Sequence, residues 1–332
     1  MISALEAGYK VRAVVRRPAA AEQIKTAKSA QRHLSNLDIV FIQDLLQEGS
    51  FDEAVIGVDY ILHIASPVSR QVGQINLSDY IDIVTNLSQQ SDNYYADFIE
   101  PAVQGTLSIL RSAAKSPSVK RVVITSSIAV LNLDLKPVTG KDLAPVPDPH
   151  TVFPNPFAGY SASKKIALAE TERFLADNKP NFDVVHILPA VILGRNELAS
   201  STSDFASGTN RYAMNIALGI DAPAPMIGAT VHVNDVGLLH VQALDENVKV
   251  GETGVRNFIA SGGSVTWSDV SGIIENKFGK EGFKLGGKMD TREVKFDTSL
   301  TEKVFGTKWV GFEEQVKSVV GHYLEVKAAE EK

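Results

Sequence analysis

Apolar positions along the chain follow two rhythms. Short runs dense in β-branched residues read as strands at Tyr9–Arg16, Asp38–Ile42, Tyr60–Ala65, Arg121–Thr125 and Phe182–Leu188. Arg121–Thr125 is nearly all apolar, as expected of a strand covered on both faces. Between these runs the spacing is helical. Ile2–Ala7 reads as the last turns of a helix stopped by Gly8, Phe51–Val55 as a helical turn, and Asp97–Ser112 and Ser161–Asp177 as longer helices. This alternation to about residue 190 predicts βαβ units and a parallel sheet with right-handed crossovers. Beyond it the pattern loosens. Asn196–Asn210, rich in Ser, Thr and Gly, reads as a mobile loop. Thr230–Val233 and Val255–Ala260 read as strands, Asp235–Leu244 as a helix, and the remainder as two or three helices with a frayed, charged tail at Lys327–Lys332.

Composition narrows the classes. At 332 residues the chain has room for about two domains, expected at 1–190 and 191–332, with the strand and helix of 230–260 returning to the first. A formal charge of −6 argues against a protein built to neutralise nucleic-acid backbones. The absence of cysteine excludes disulfides, thiolate metal sites and cysteine nucleophiles. No apolar run reaches the ~18 residues of a membrane span, and the first residues do not form a signal peptide, so a cytoplasmic location is expected. The seven histidines include no His-Glu-x-x-His arrangement and His232 and His240 are not spaced as a metal pair; no metal is expected.

Two segments carry candidate chemistry. Tyr160 and Lys164 stand four apart at the start of a helix and so share one face. An ammonium beside a phenol favours the phenolate, which makes the pair a plausible proton donor to a carbonyl oxygen; on spacing alone it is equally an ordinary surface pair. Upstream, the strand Arg121–Thr125 ends in Ser126-Ser127. Ligands of open α/β sheets bind outside the carboxyl ends of strands, where a serine hydroxyl donates to a carbonyl or simply caps a turn. The seryl pair and the Tyr-x-x-x-Lys pair, one strand–helix unit apart, point together to a site.

With these motifs the chain resembles the extended short-chain dehydrogenases/reductases, in the branch of dihydroflavonol reductases, cinnamoyl-CoA reductases and fungal aldehyde or methylglyoxal reductases. The resemblance runs through VRAVVR at 11–16, VDYILHIASPV at 58–68, VKRVVITSSIAVL at 119–131, GYSASKKIALAE at 159–170, LPAVILGR at 188–195 and VHVNDVGLLHVQAL at 231–244. It implies an α/β fold: a Rossmann-like doubly wound parallel sheet with a smaller C-terminal α/β substrate region. It also implies an NADPH-dependent carbonyl reductase turning an aldehyde or ketone into an alcohol, acting on a small molecule as a monomer or homodimer. By position, Tyr160 is the general acid, Lys164 lowers its pKa and holds the nicotinamide ribose, and Ser127 polarises the carbonyl. Ser126 shapes the cofactor pocket. Arg16, with Arg17 beside it, holds the adenosine 2′-phosphate, favouring NADP(H) over NAD. Asp44 and Leu45 flank adenine; Ile64, Ala65 and Ser66 lie under the pyrophosphate and ribose; Pro189 and Val191 lie beside the nicotinamide. Arg16 also reads as a plain surface residue, Asp44 as a helix cap, and His63 as a core histidine. Phe153, Phe157 and Met214 are candidate pocket lining or core, and 196–212 a candidate lid.

The sequence departs from the family at its start. The glycine-rich turn Gly-x-x-Gly-x-x-Gly and the strand before it are not in it, and Met1 falls inside the helix that follows that turn. Strands Val11–Val15 and Ile61–Ile64 are therefore expected to lack their shared neighbour. The chain is read as a truncated reductase, or as a short form with impaired cofactor binding. Gln104 stands where relatives have Asn, with a possible effect on proton relay, and Leu300 where lysine is common. Sugar-nucleotide epimerases or dehydratases and hydroxysteroid dehydrogenases share the Ser, Tyr and Lys. A non-catalytic dinucleotide sensor is the alternative from outside the enzymes; the intact Tyr160, Lys164 and Ser127 argue against it.

Overall fold

The computed structural model describes residues 1–65, 93–248, 250, 256–280 and 282–332. The chain opens with a short helix α1 (Ile2–Glu6) that ends in Gly8, whose positive φ of 88° reverses the backbone without a steric penalty. Strand β1 (Val11–Val15), helices α2 (Pro18–Thr26) and α3 (Lys28–Gln31) and strand β2 (Leu37–Phe41) follow. Residues 51–57, expected to begin a helix, form consecutive turns. After β3 (Tyr60–His63), a π-helical turn at Tyr95–Ile99 feeds α4 (Glu100–Lys115), which leads to β4 (Arg121–Thr125). Helix α5 (Pro156–Asn178) starts at Asn155, whose side-chain oxygen accepts from the Ala158 amide at 2.9 Å. Pro156 then fills the first helical position, where no N–H is needed.

Strand β5 (Asp183–Pro189) and the short β6 (Val191–Leu193) lead into the C-terminal part. That part contains α6 (Arg211–Leu218), β7 (Met226–Ile227), β8 (Thr230–His232), α7 (Val233–Gln242), β9 (Asn257–Ala260), α8 (Asp269–Phe278), β10 (Thr291–Arg292), α9 (Ser299–Phe305) and α10 (Phe312–Glu330). Its core gathers Leu193, Met214, Ile216, Trp267, Ile274 and Val319, with the Trp267 indole donating to the Ile227 carbonyl at 3.0 Å. Among the described residues, no helix is long and apolar enough to cross a membrane.

Among the described residues the pairings between these strands are parallel, and β3-β4-β5-β9 form one four-stranded sheet. In its centre β4 and β5 are almost wholly buried, because α4 and α5 cover one face and α7 the other. Strands β1 and β2 form a separate two-stranded sheet. Among the described residues β1 pairs only with β2 and β3 only with β4, as expected for strands without their shared neighbour. Both outlying strands are correspondingly half-exposed, and Phe41 at the end of β2 is 52% accessible. The two sheets still keep a common direction. Tyr9, just before β1, packs edge-on against Tyr60, the first residue of β3, with ring centroids 6.1 Å apart. Arg12 on β1 donates to the carbonyls of Ala54 at 2.9 Å and Ile56 at 3.1 Å. The N-terminal ends of β1 and β3 thus meet.

The segment read as a mobile loop is anchored instead. Thr202–Ala206 is a short 3-10 helix whose Asp204 carboxylate accepts from the amides of Ser200 at 2.8 Å and Ser201 at 2.9 Å. Phe205 is buried between His322 and Tyr323 of α10. The Ser and Thr residues act here as local caps, and one aromatic fixes the segment to the core.

Candidate active site

The carboxyl ends of β3, β4 and β5 and the first two turns of α5 converge on one cleft. Ser127 follows β4 in extended conformation, its hydroxyl oxygen accepting from the Ala129 amide at 3.2 Å. It sits close enough to the Tyr160 phenol to hydrogen-bond it and favour its ionisation, but burial dominates and holds the phenol pKa above its ordinary value. Gly159 makes this placement possible: a Cβ there would lie 2.6 Å from the buried Tyr94 ring. One turn on, Lys164 is buried and its Nζ donates to the Thr125 carbonyl at 3.0 Å, 5.9 Å from the Tyr160 ring centroid. Desolvation lowers this ammonium to about 8. The expected lowering of the phenol by Lys164 is therefore not seen in this arrangement. The ammonium is engaged by a backbone carbonyl, and burial pushes both groups toward their neutral forms.

Behind Lys164 the cleft is lined by residues whose chemistry the sequence did not single out. His63, at the end of β3, lies 3.4 Å from the Thr106 hydroxyl. That hydroxyl donates to the Ala102 carbonyl at 2.8 Å, so His63 Nε2 is the donor to Thr106. Burial and the Lys164 charge lower the His63 pKa to about 4. On the other face of the sheet, His240 Nδ1 donates to the Val236 carbonyl at 2.8 Å, so its Nε2 accepts from the Thr125 hydroxyl at 2.7 Å. This chain fixes the residue whose carbonyl holds Lys164. A histidine inside an apolar strand was legible, but its neighbours come from α4 and α5 and were not.

The remaining expected residues are placed as follows. Arg16 and Arg17 are exposed at the end of β1, where α2 begins. Asp44 is exposed after β2; it caps no helix but accepts from the Leu46 amide at 2.9 Å in a tight turn, and Leu45 is half-buried against Ile42 and Val55. Ile64 is 53% exposed and Ala65 is exposed beyond β3; Ser66 lies outside the described residues. Ser126 is buried and its amide donates to the Ile187 carbonyl at 2.8 Å. Pro189 is buried at the end of β5, and Val191 turns its side chain into the C-terminal core. Phe153 joins a core with Tyr94 and Phe98, and Met214 is buried in the C-terminal core, so neither lines the cleft. Phe157 does the opposite: it is 67% exposed, with its ring 6.3 Å from that of Tyr160. Gln104 is half-buried and does not line the cleft, whereas Ala102 and Thr106 on the same helix do.

The residues present fit a dinucleotide at its two ends. Two exposed arginines beyond β1 suit a phosphate, and the apolar surface at Ile64 and Ala65 leads toward half-buried Tyr160 and buried Lys164. The glycine-rich pyrophosphate turn is not in the sequence.

A Rossmann-like parallel sheet carrying Ser, Tyr and Lys at its carboxyl edge defines an oxidoreductase-type α/β protein. The comparisons narrow this. The chain is 33% identical to an NAD-dependent epimerase/dehydratase of Alternaria alternata over 343 residues, covering 96% of this chain and 92% of the relative. It is 30% identical to a ketoreductase of Cercospora beticola over 353 residues, covering 100% of this chain and 92% of that one. The chain belongs to the extended short-chain dehydrogenase/reductase family, in the group of NAD-dependent epimerases/dehydratases and ketoreductases. No protein-family model matches it. Its fold is shared with the yeast methylglyoxal/isovaleraldehyde reductase solved with NADPH (TM-score 0.75, 20% identity, 98% of this chain and 94% of that one). It is shared also with alfalfa vestitone reductase (TM-score 0.69, 22% identity, 98% and 93%).

Proposed function

We propose that the chain is an NADPH-dependent carbonyl reductase that converts an aldehyde or ketone into an alcohol. The observation that carries this reading is the convergence of Ser127, Tyr160 and Lys164 at the carboxyl end of β4. When bound, NADPH supplies the hydride. Arg16 and Arg17 would hold its adenosine phosphate, Asp44 and Leu45 would flank adenine, and Ile64, Ala65 and Ser126 would border the pyrophosphate and ribose. Pro189 and the backbone at Val191 border the nicotinamide end.

Ser127 donates to the substrate oxygen and orients the carbonyl. Tyr160, protonated because burial holds its pKa up, gives its proton to the oxygen as negative charge develops there. Lys164 stabilises the resulting phenolate and restores its proton. Exposed Phe157 offers an apolar wall beside the reacting centre.

The test is NADPH oxidation with a panel of aldehydes and ketones. Tyr160→Phe is expected to lower kcat by about 10²-fold or more with NADPH binding nearly unchanged; normal turnover would sink the mechanism. Arg16→Ala is expected to weaken NADPH about 10- to 100-fold, the size of a lost charge-assisted hydrogen bond, and to leave NADH unaffected. A second reading, epimerisation or dehydration, rests on the name of the Alternaria relative. Tightly retained NAD on purification would favour it.

A further inference from the structure

The cleft does not end at Lys164. It continues between α5 and the sheet as a cavity bordered by Lys164, Ala167 and Thr171 on the helix and by Ile124 and His186 below. Lys164 to Thr171 spans seven residues, about 10 Å of helix, and small Ala167 leaves the middle open. At the far end His186 on β5 is 1% exposed, and neither ring nitrogen has a hydrogen-bond partner. Its Nε2 lies 3.7 Å from a carboxylate oxygen of Glu172, a contact that lowers the Glu172 pKa. Glu172 is half-exposed on α5 and lies 3.9 Å from Arg256. A buried imidazole whose ring nitrogens make no close hydrogen bond is costly, and a buried water is an ordinary way to satisfy it. The Thr171 hydroxyl, which donates to the Ala167 carbonyl at 2.8 Å, keeps its oxygen free to accept.

We propose that this cavity binds water and, with His186 and Glu172, forms a proton conduit from the surface to Lys164. The inference rests on the reductase reading for its catalytic role. Each reduction consumes one proton, delivered from the Tyr160 hydroxyl to the substrate oxygen. The phenolate takes a proton from the Lys164 ammonium. The Lys164 amine is reprotonated by the cavity water, which draws on His186. The imidazole releases a proton from one nitrogen and accepts one at the other from the Glu172 side, where bulk water resupplies it. No oxidation state changes along this path. His186 is thus a positioning and relay residue that does not touch substrate.

The test uses His186→Phe, which fills the cavity, and His186→Gln, which keeps a hydrogen-bonding group but cannot shuttle protons. Both are expected to lower kcat about tenfold with KM little changed, and added imidazole buffer is expected to restore much of the loss in His186→Gln, whereas in His186→Phe the ring leaves it no room. Glu172→Gln, at a half-exposed position that does not disturb the strand, is expected to give a smaller, likewise rescuable loss. Unchanged kcat, or a loss in His186→Gln insensitive to buffer, overturns the conduit. Independently of activity, NMR cross-relaxation between water and the His186 ring is expected in the wild-type chain and lost in His186→Phe; its absence in the wild type overturns hydration. A wild-type chain without NADPH turnover overturns the reductase reading instead, while the NMR measurement still decides whether the cavity holds water.

Discussion

Lys164 Nζ donates to the Thr125 carbonyl at 3.0 Å, and the Thr125 hydroxyl donates to His240 at 2.7 Å. The candidate ammonium of α5 is thus held by β4, and β4 by a histidine of α7. Three elements distant in sequence fix one charge at the edge of the sheet.

The depressed pKa of Lys164 sets a pH window. Desolvation lowers it to about 8, so the ammonium is present below that pH and lost above it. The reduction rate is expected to be flat toward neutrality and to fall up to about tenfold per unit as pH rises past 8. A pH profile of kcat checks this. Lys164→Met is expected to be about 10²-fold slower at every pH; a profile that fell only above 10 would remove Lys164 from the account.

Thr125→Val keeps the shape of the strand but leaves the buried Nε2 of His240 without its donor. The expected cost is about 1–3 kcal/mol of stability, measured by urea unfolding. A change within experimental error would mean that the hydroxyl–imidazole bond contributes nothing net.

Gly159→Ala places a Cβ 2.6 Å from the Tyr94 ring, beside Tyr160. It is expected to cost about 1–3 kcal/mol through overpacking and to lower kcat by displacing the phenol. In a Tyr94→Leu background the same substitution is expected to cost less, because the two residues share one contact. Additive effects in the double mutant would exclude that contact as the cause.

Acid is expected to destabilise the fold before carboxylates titrate. Burial lowers both His63 and His240 from 6.5 to about 4, so the folded rings stay neutral while the unfolded ones bind protons below 6.5. The contribution of these two histidines is therefore constant above about pH 6.5 and falls toward pH 4, by roughly 1.4 kcal/mol per unit for each histidine. Urea midpoints at pH 7, 6 and 5 measure the slope. His63→Gln and His240→Gln are each expected to flatten it.

The site was legible where function sits on one segment. Tyr160 and Lys164 share a helical face by spacing alone, and Ser127 stands just beyond a nearly all-apolar strand whose burial its composition announced. Phe153, Phe157 and Met214 were not separable by sequence: all are apolar, and only packing buried two and exposed the third. The 202–206 segment misled because Ser and Thr signal a loop equally well whether they face solvent or cap a turn around a buried Phe205.

The sequence by itself determined the parallel α/β order and the shared face of Tyr160 and Lys164, because these follow from local periodicity and short-range spacing; the missing neighbour of β1 was implied by the family resemblance. The tertiary structure alone decided the surroundings of Lys164: the Thr125–His240 support, the His63–Thr106 pair, and the cavity that reaches His186. Those contacts join residues up to 115 apart in the chain. Their protonation is set by burial, a property of the packed molecule and of no single segment.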